Sequence, residues 1–344
     1  MSRRARSLSA AALLLAACAT PVVQEDELPA EPIALIYRDP AAARERAEEL
    51  ERRRGAGAPD PSGLVGQGVM RLNDADEYFD RILQRRREIP PRLQGRVALL
   101  RPRTGEIEML DAFLPGSVPL DWNASHDRLL VVSRQRGTPQ IFEYAAAERR
   151  LAPLLRGHRA HVEAAYGPDG AVVYARMDRD DSNELSLSLW RKQPGRRPER
   201  LTSGPADSGV DWSPDGRFVL YHAADARGQL AIHLLDLEEG GEPRRIARGS
   251  EPAISPLGDW VAYTRESSAG WRLWRMRIDG SGKASLGGMP QDQADERRPT
   301  VSPDGRYVVY VAEKGDRQRL RIRRMDGTGD RLLLERGDGA MPAW

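Results

Sequence analysis

The chain has 344 residues, enough for one large domain or two small ones, and its 40% apolar content supplies a core although only 6% is aromatic. The formal net charge is +2, with 50 Arg and three Lys (192, 283 and 314) scattered among 51 acidic residues. That mixture excludes the basic stripe of a nucleic-acid binder, and a single cysteine excludes a disulfide framework.

The N-terminus, MSRRARSLSAAALLLAACAT, places Arg3, Arg4 and Arg6 ahead of a ten-residue apolar stretch, Leu8 to Ala17. Ten residues are too few to span a bilayer as a helix, and small residues precede Cys18 as they precede a signal cleavage site. The tetrad Leu15-Ala16-Ala17-Cys18 resembles the lipobox of bacterial lipoproteins. The resemblance implies that residues 1–17 are removed and that Cys18 is acylated, so that the mature protein is anchored to a membrane without spanning it. Ala19 follows, not the Asp that retains such proteins at the inner membrane of enteric bacteria, which points to the outer membrane and its periplasmic side.

Residues 18–38 are rich in Pro, Ala and Glu and are expected to form a flexible tether. A helical N-terminal region is expected over 39–95. Asp39-Pro40 suits the start of a helix over 41–54, a Gly/Pro-rich break follows at 55–68, and Tyr78, Phe79, Ile82 and Leu83 give a second helical pattern (74–88) a narrow apolar stripe.

From Val97 onward helical periodicity is replaced by short β-branched runs between Gly, Pro and Asp. WSPDGRFVLY (212–221) and SPDGRYVVY (302–310) nearly coincide, and GPDGAVVY (167–174) and SPLGDWVAY (255–263) are worn copies. The residue after each turn falls at 128, 171, 217, 259 and 306, intervals of 43, 46, 42 and 47, which is the period of propeller blades. Six segments lead into the turns or into the chain end and are expected to be innermost strands: 118–122, 162–166, 210–212, 252–254, 299–301 and 341–344. The sixth blade must then be completed from the front, where VALLRPRTGEIEML (97–110) matches the third and fourth strands of the last repeat, so that the chain ends pair and close the ring. Its second strand comes from Leu64–Leu72, or the closing blade has three strands.

The expected architecture is therefore all-β, a six-bladed propeller over 96–344. Repeats of the form Trp-Ser-Pro-Asp-Gly-Arg followed by an apolar strand resemble those of the TolB-type β-propeller family. TolB proper carries an α/β domain ahead of its propeller, which the helical, Pro-rich region here does not match, so the resemblance is to TolB-like propeller lipoproteins. It implies a protein- or peptide-binding module of the cell envelope, since TolB-like proteins capture the lipoprotein Pal and other disordered segments. Prolyl oligopeptidases share such propellers but need a Gly-x-Ser-x-Gly elbow that this sequence lacks.

In the turns Pro presets φ, Gly supplies φ > 0, and Asp bonds the local backbone. Asp169, Asp215 and Asp304 recur as punctuation, and Trp122, Trp212 and Trp344 are expected to wedge between blades. His158, His161 and His222 share one face, where a metal of the oligogalacturonate-lyase kind is the enzymatic alternative, but their spacing lacks a further ligand. The oxygen-rich loop 178–184 lacks the spacing of a calcium loop, and Gly280-Ser-Gly-Lys283 lacks the first Gly of a phosphate loop. No catalytic residue, metal or cofactor is expected, and the propeller is expected to act as a monomer. A third reading is a structural spacer. Variety concentrates in the loops between second and third strands and between successive blades, Leu286–Arg297 being the longest, and Arg159, His161, Trp271 and Arg297 are the expected partner contacts. Replacing Cys18 by Ala should leave an uncleaved, unanchored precursor. Membrane fractionation with mass spectrometry of the N-terminus checks this, and normal processing of Cys18→Ala would count against the lipobox.

Overall fold

The computed structural model describes residues 22–39, 95–135, 138–155, 159–179, 185–225, 227–287, 293–315 and 317–344. The chain opens with β1 (Ile33–Arg38), β2 (Arg96–Leu100) and β3 (Ile107–Met109). Blade one follows as β4 (Val118–Trp122), β5 (Arg128–Ser133), β6 (Gln140–Ala145) and β7 (Arg150–Pro153). Blade two is β8 (Ala160–Tyr166), β9 (Val172–Arg179), β10 (Leu185–Lys192) and β11 (Glu199–Arg200). Blade three is β12 (Ser208–Trp212), β13 (Phe218–Ala224), β14 (Leu230–Asp236) and β15 (Arg244–Arg248). Blade four is β16 (Ser250–Ile254), β17 (Trp260–Ser267), β18 (Gly270–Arg277) and β19 (Ala284–Ser285). Blade five is β20 (Asp295–Val301), β21 (Tyr307–Lys314), β22 (Arg317–Arg324) and β23 (Asp330–Leu332). The last strand, β24 (Asp338–Ala343), joins the first three in the order β24-β1-β2-β3 and makes blade six. Strands β4, β8, β12, β16, β20 and β24 neighbour one another in a closed ring around the axis. All six expected innermost segments lie on these strands.

The closing blade differs from expectation in one respect. Its second strand is β1, paired with β24 through Tyr37↔Gly339 and Arg38↔Asp338 and with β2 through Ile33↔Leu100 to Tyr37↔Arg96. The run Ile33-Ala-Leu-Ile-Tyr has the β-branched, apolar character of a strand buried on both faces, and Ile33, Ala34, Leu35 and Ile36 have no exposed surface. The tether expected over 18–38 therefore stops short of Ile33, and the propeller begins before residue 96. The blade has four strands, and its second is not Leu64–Leu72, which lies outside the described residues, as do both expected helices. The C-terminal strand does not pair with the 97–110 segment, because β1 lies between them. Residues 39–95 leave and rejoin the fold inside blade six.

Blades one to five each turn between their first and second strands, as the repeats require. In blade five Ser302 Oγ donates to Asp304 Oδ1 (2.6 Å), Asp304 Oδ1 accepts the Arg306 N–H (3.0 Å), and Ser302 Oγ accepts the Tyr307 N–H (2.9 Å). Blade three repeats these bonds with Ser213, Asp215, Arg217 and Phe218 at 2.5, 3.0 and 2.8 Å. Gly216 and Gly305 stand at φ +79° and +72°, where a Cβ is strained. Asp215 and Asp304 thus close turns. Asp169 sits in the turn at φ 56° itself.

The strand-end tryptophans are wedges. Trp212 packs among Val162, Val173 and Leu187 of blade two, and a Cβ on Gly167 would lie 2.2 Å from its ring. Trp122 meets Ala34, Val97 and Ala343 of blade six. Trp344 joins Tyr307 and Val309 of blade five to Leu35 and Leu100, and its Nε1–H donates to the Glu31 carbonyl at 2.9 Å. Trp344→Ala should cost about 3–5 kcal/mol, read as a lower denaturation midpoint in urea, and a chain starting at residue 39 should fail to fold. A stable, cooperatively unfolding chain without β1 would show that the ring closes some other way.

Candidate functional site

The propeller has two faces of different character. One carries the tight turns after first and third strands (the turn face); the other carries the connections after second strands and between blades (the loop face). Between them runs the axial channel, lined by the innermost strands. All six carry a register shift against their neighbour, at 119/121, 161/163, 208/211, 250/253, 297/300 and, for β24 against β1, 340/343. Gly209, Glu251, Arg298 and Met341 take positive φ at equivalent positions. Such bulges re-aim side chains, and here they set acidic groups toward the next blade.

The result is a relay of acceptors around the channel. Asp121 Oδ2 accepts the Tyr166 N–H (2.7 Å), and Glu163 accepts the Gly209 N–H. Asp211 Oδ2 accepts the Ile254 N–H (2.6 Å), and Glu251 Oε2 accepts the Arg298 N–H (2.9 Å). Thr300 Oγ1 accepts the Trp344 N–H (3.2 Å). Asp121, Asp211 and Thr300 stand one residue before the strand-end Trp122, Trp212 and Val301, whereas Glu163 and Glu251 stand three before Tyr166 and Ile254. The links therefore alternate between two levels of the channel. The closing seam is apolar instead, formed by Ile36, Val118, Val132 and Ala340 with Leu120 and Met341.

Burial raises the pKa of these channel carboxylates except where a cation compensates. Asp211 is pushed up to about 7 by burial, and Asp121 is raised by burial and by the neighbouring Asp211 charge. Glu163 is raised by burial. Burial would raise Glu251 as well, but the Arg297 and Arg298 charges overcome it and hold the carboxyl at about 2. Arg297 Nη2 lies 2.9 Å from Glu251 Oε1.

The four expected contact residues fall into two places. Trp271 and Arg297 are brought together: the guanidinium lies 4.1 Å from the indole centroid, and both residues are buried. Arg159 is exposed and pairs with Asp178, which also accepts from Arg176 Nε at 2.6 Å. His161, two residues on, is buried edge-on against Tyr174, with Nδ1 3.2 Å from Gln140 Oε1. Burial and the Arg176 and Arg159 charges lower its pKa to about 4, so the ring is neutral near pH 7. His222 is likewise lowered to about 4 by burial, and its Nε2 lies 3.1 Å from Ser208 Oγ. Of the four, Arg159 alone presents its side chain to solvent; His161, Trp271 and Arg297 build the wall beneath the loops. The expected loop Leu286–Arg297 is already strand from Asp295. Among the described residues no group of three or more His, Cys, Asp or Glu side chains is placed to hold a metal ion.

Sequence reasoning missed an exposed apolar side chain on the loop face, where blades six and one meet. Leu114 is 51% exposed in the connection after β3, in which Asp111 pairs with Arg96 and the Ala112 carbonyl accepts from Gln135 Nε2 at 3.2 Å. The signal available was Phe113-Leu-Pro-Gly, a large apolar residue placed at a turn.

Six four-stranded blades, a ring closed by pairing of the N- and C-terminal strands, and Ser-Pro-Asp-Gly turns with their worn copies define a six-bladed β-propeller of the repeat-punctuated kind. Residues 189–344 match the PD40 family, the TolB β-propeller domain. The fold is similar to TolB from Acinetobacter baumannii, at TM-score 0.64 and 16% identity over 92% of this chain and 68% of that one. It is also similar to a protein assigned as TolB from Agrobacterium tumefaciens, at TM-score 0.57 and 22% identity over 69% of this chain and 87% of that one. An uncharacterized protein of Agrobacterium fabrum strain C58 is 30% identical over 118 residues, which are 33% of this chain and 39% of that relative. The chain thus spans about two fifths of that relative's length. The chain is a six-bladed β-propeller, and its residues 189–344 are similar to the TolB β-propeller domain.

Two outcomes follow for the channel. Asp211, with a folded pKa near 7, contributes stability that is complete below the unfolded carboxylate range and lost as pH rises toward 7. Glu251 contributes stability present above that range and lost as pH falls toward 2. Melting temperature should therefore decline from about pH 4 to about pH 7, and Asp211→Asn should flatten that limb, whereas Glu251→Gln should flatten the acid limb. Arg297→Ala, which strips Glu251 of its charged donor, should destabilise by on the order of 2 kcal/mol; an unchanged melting temperature would return Arg297 to the role of a surface contact.

Proposed function

We propose that this protein is a lipoprotein of the bacterial cell envelope, anchored through Cys18 to the outer membrane on its periplasmic side, whose propeller binds a protein or peptide partner. The binding is non-catalytic, needs no cofactor, and is made by a single propeller. The observation that carries this reading is the contrast between the faces. The turn face repeats one buttressed motif, whereas the loop face carries the connections after second strands and between blades, which differ from blade to blade in length and sequence. Varied loops on a rigid scaffold are where binding residues concentrate. The match to the TolB β-propeller domain supports the same reading. The contact region is the loop face around Leu114, Arg96 and Gln135, with Arg159 on blade two.

Photo-cross-linking residues introduced at Leu114 and Gln135 should capture a discrete partner from envelope extract, while one at Leu257 on the turn face should not. Leu114→Asp and Arg159→Ala should each weaken capture with little change in melting temperature, because both side chains are exposed. Capture through Leu257 alone would place binding on the other face.

A further inference from the structure

The segment that follows the lipobox is docked. Val23 and Leu28 have no exposed surface and pack with Leu333, Tyr307 and Trp344. Glu27 pairs with Arg324 at 2.6 Å, and its carbonyl accepts from Arg306 Nη2 at 3.1 Å and from the Tyr307 hydroxyl at 3.3 Å. Glu25 pairs with Arg331, and the Leu28 carbonyl accepts from Arg103 Nε. These partners locate the segment. Arg306 lies in the first turn of blade five, Arg324 at the start of its second turn, Arg103 in the β2–β3 turn of blade six, and Arg331 on β23, the outermost strand of blade five. Residues 23–31 therefore run across the turn face, from the outer wall of blade five inward to Trp344, and then enter β1.

This changes the reach of the anchor. A free stretch from Cys18 to Pro32 could extend to about 50 Å. With Val23 fixed and Val22 53% exposed at the outer wall, only the step from Cys18 to Val22 is left, at most about 14 Å. A body held on so short a lead cannot turn over, and the side that meets the bilayer is the side from which the lead departs. We infer that the lipoprotein sits with its turn face, at the edge of blades five and six, against the lipid headgroups, so that the loop face is directed away from the membrane. The occupant of this surface is the bilayer holding the acyl chains. The inference rests on the lipidation of Cys18 and adds an orientation to it. Strands of eight residues set the loop face about 25 Å farther out. The exposed apolar side chain on the turn face, Leu257 at 67% exposure, replaces the turn aspartate of blades two, three and five and lies beside the Gly305 turn.

The test uses the full lipidated protein in phospholipid vesicles. Cys18 is the sole cysteine and is acylated in this reading, so Leu257→Cys and Leu114→Cys each supply one free thiol for a fluorophore, one on each face. With nitroxide-headgroup lipids in the vesicles, the label at 257 should be quenched several-fold more than the label at 114. Inserting a 20-residue Gly/Ser linker after Ala19, with an r.m.s. span of about 25 Å, should erase the difference while leaving the vesicles loaded. Flotation separates the two ways of failing. Wild-type protein that does not float with vesicles overturns the lipid anchor and this orientation with it. Floating protein with equal quenching at both labels, or with stronger quenching at 114, overturns the orientation alone.

Discussion

Everything in this molecule depends on β1 being held between β24 and β2. A propeller is stable because each sheet covers the next, and the arrangement tolerates no free side; one exposed blade leaves two apolar sheet faces in water. Here the seal is made by a single six-residue strand, Ile33–Arg38, hydrogen-bonded on both edges and without exposed surface at its first four residues. Backbone pairing in so dry a position is obligatory, since an unpaired buried N–H or C=O costs as much as the bond it would have made. Trp344 adds a second tie, linking the final residue to the segment just before β1.

The channel shows how polar groups can serve the same end. Channel-lining side chains in a propeller face one another across a narrow space, so carboxylates there repel and are poorly hydrated. Aiming each acceptor at a backbone N–H of the following blade turns that difficulty into an inter-blade contact, and the alternation of levels keeps successive carboxylates apart. The remaining conflicts are between carboxylates used at the same level, Asp121 with Asp211 and Glu163 with Glu251, and they add to burial in raising Asp121 and Glu163. Where Arg297 and Arg298 lie beside Glu251, the carboxylate stays ionised.

Most of the architecture was legible because its punctuation is local. Ser-Pro-Asp-Gly encodes a turn by its own dihedrals and side-chain bonds, and counting back from each turn located all six innermost strands. The second strand of blade six was not legible, although Ile33-Ala-Leu-Ile-Tyr is a good strand by composition. Its neighbours are Pro- and Glu-rich, and the 57 residues before β2 break the period that marked every other blade. The contact residues were read less well for a different reason. Arg297 and Trp271 are residue types favoured at interfaces, but an Arg stacked on an indole and paired with a carboxylate is satisfied indoors. Only the pairing distinguishes that case from an exposed one, and pairing across blades is invisible in a linear reading. Arg159, whose partner Asp178 lies on the same blade, remains outside.

The placement of residues 39–95 within blade six has a topological consequence. Because the ring is sealed on both sides of that excursion, the chain behaves as two pieces that need one another: a short N-terminal piece ending in β1, and a long piece from β2 to Trp344 that contains five complete blades and the slot for the missing strand. A single peptide cleavage between Arg38 and Gly95 would not open the propeller. It would convert a covalent fold into a non-covalent complex in which the strand and its docked leader occupy the slot as a ligand. In a lipidated chain that cut would also redefine the attachment, since the body would then be joined to its anchor only by strand pairing and by the burial of Val23, Leu28 and Leu35. The dissociation of one short strand would become the event that sets the protein free.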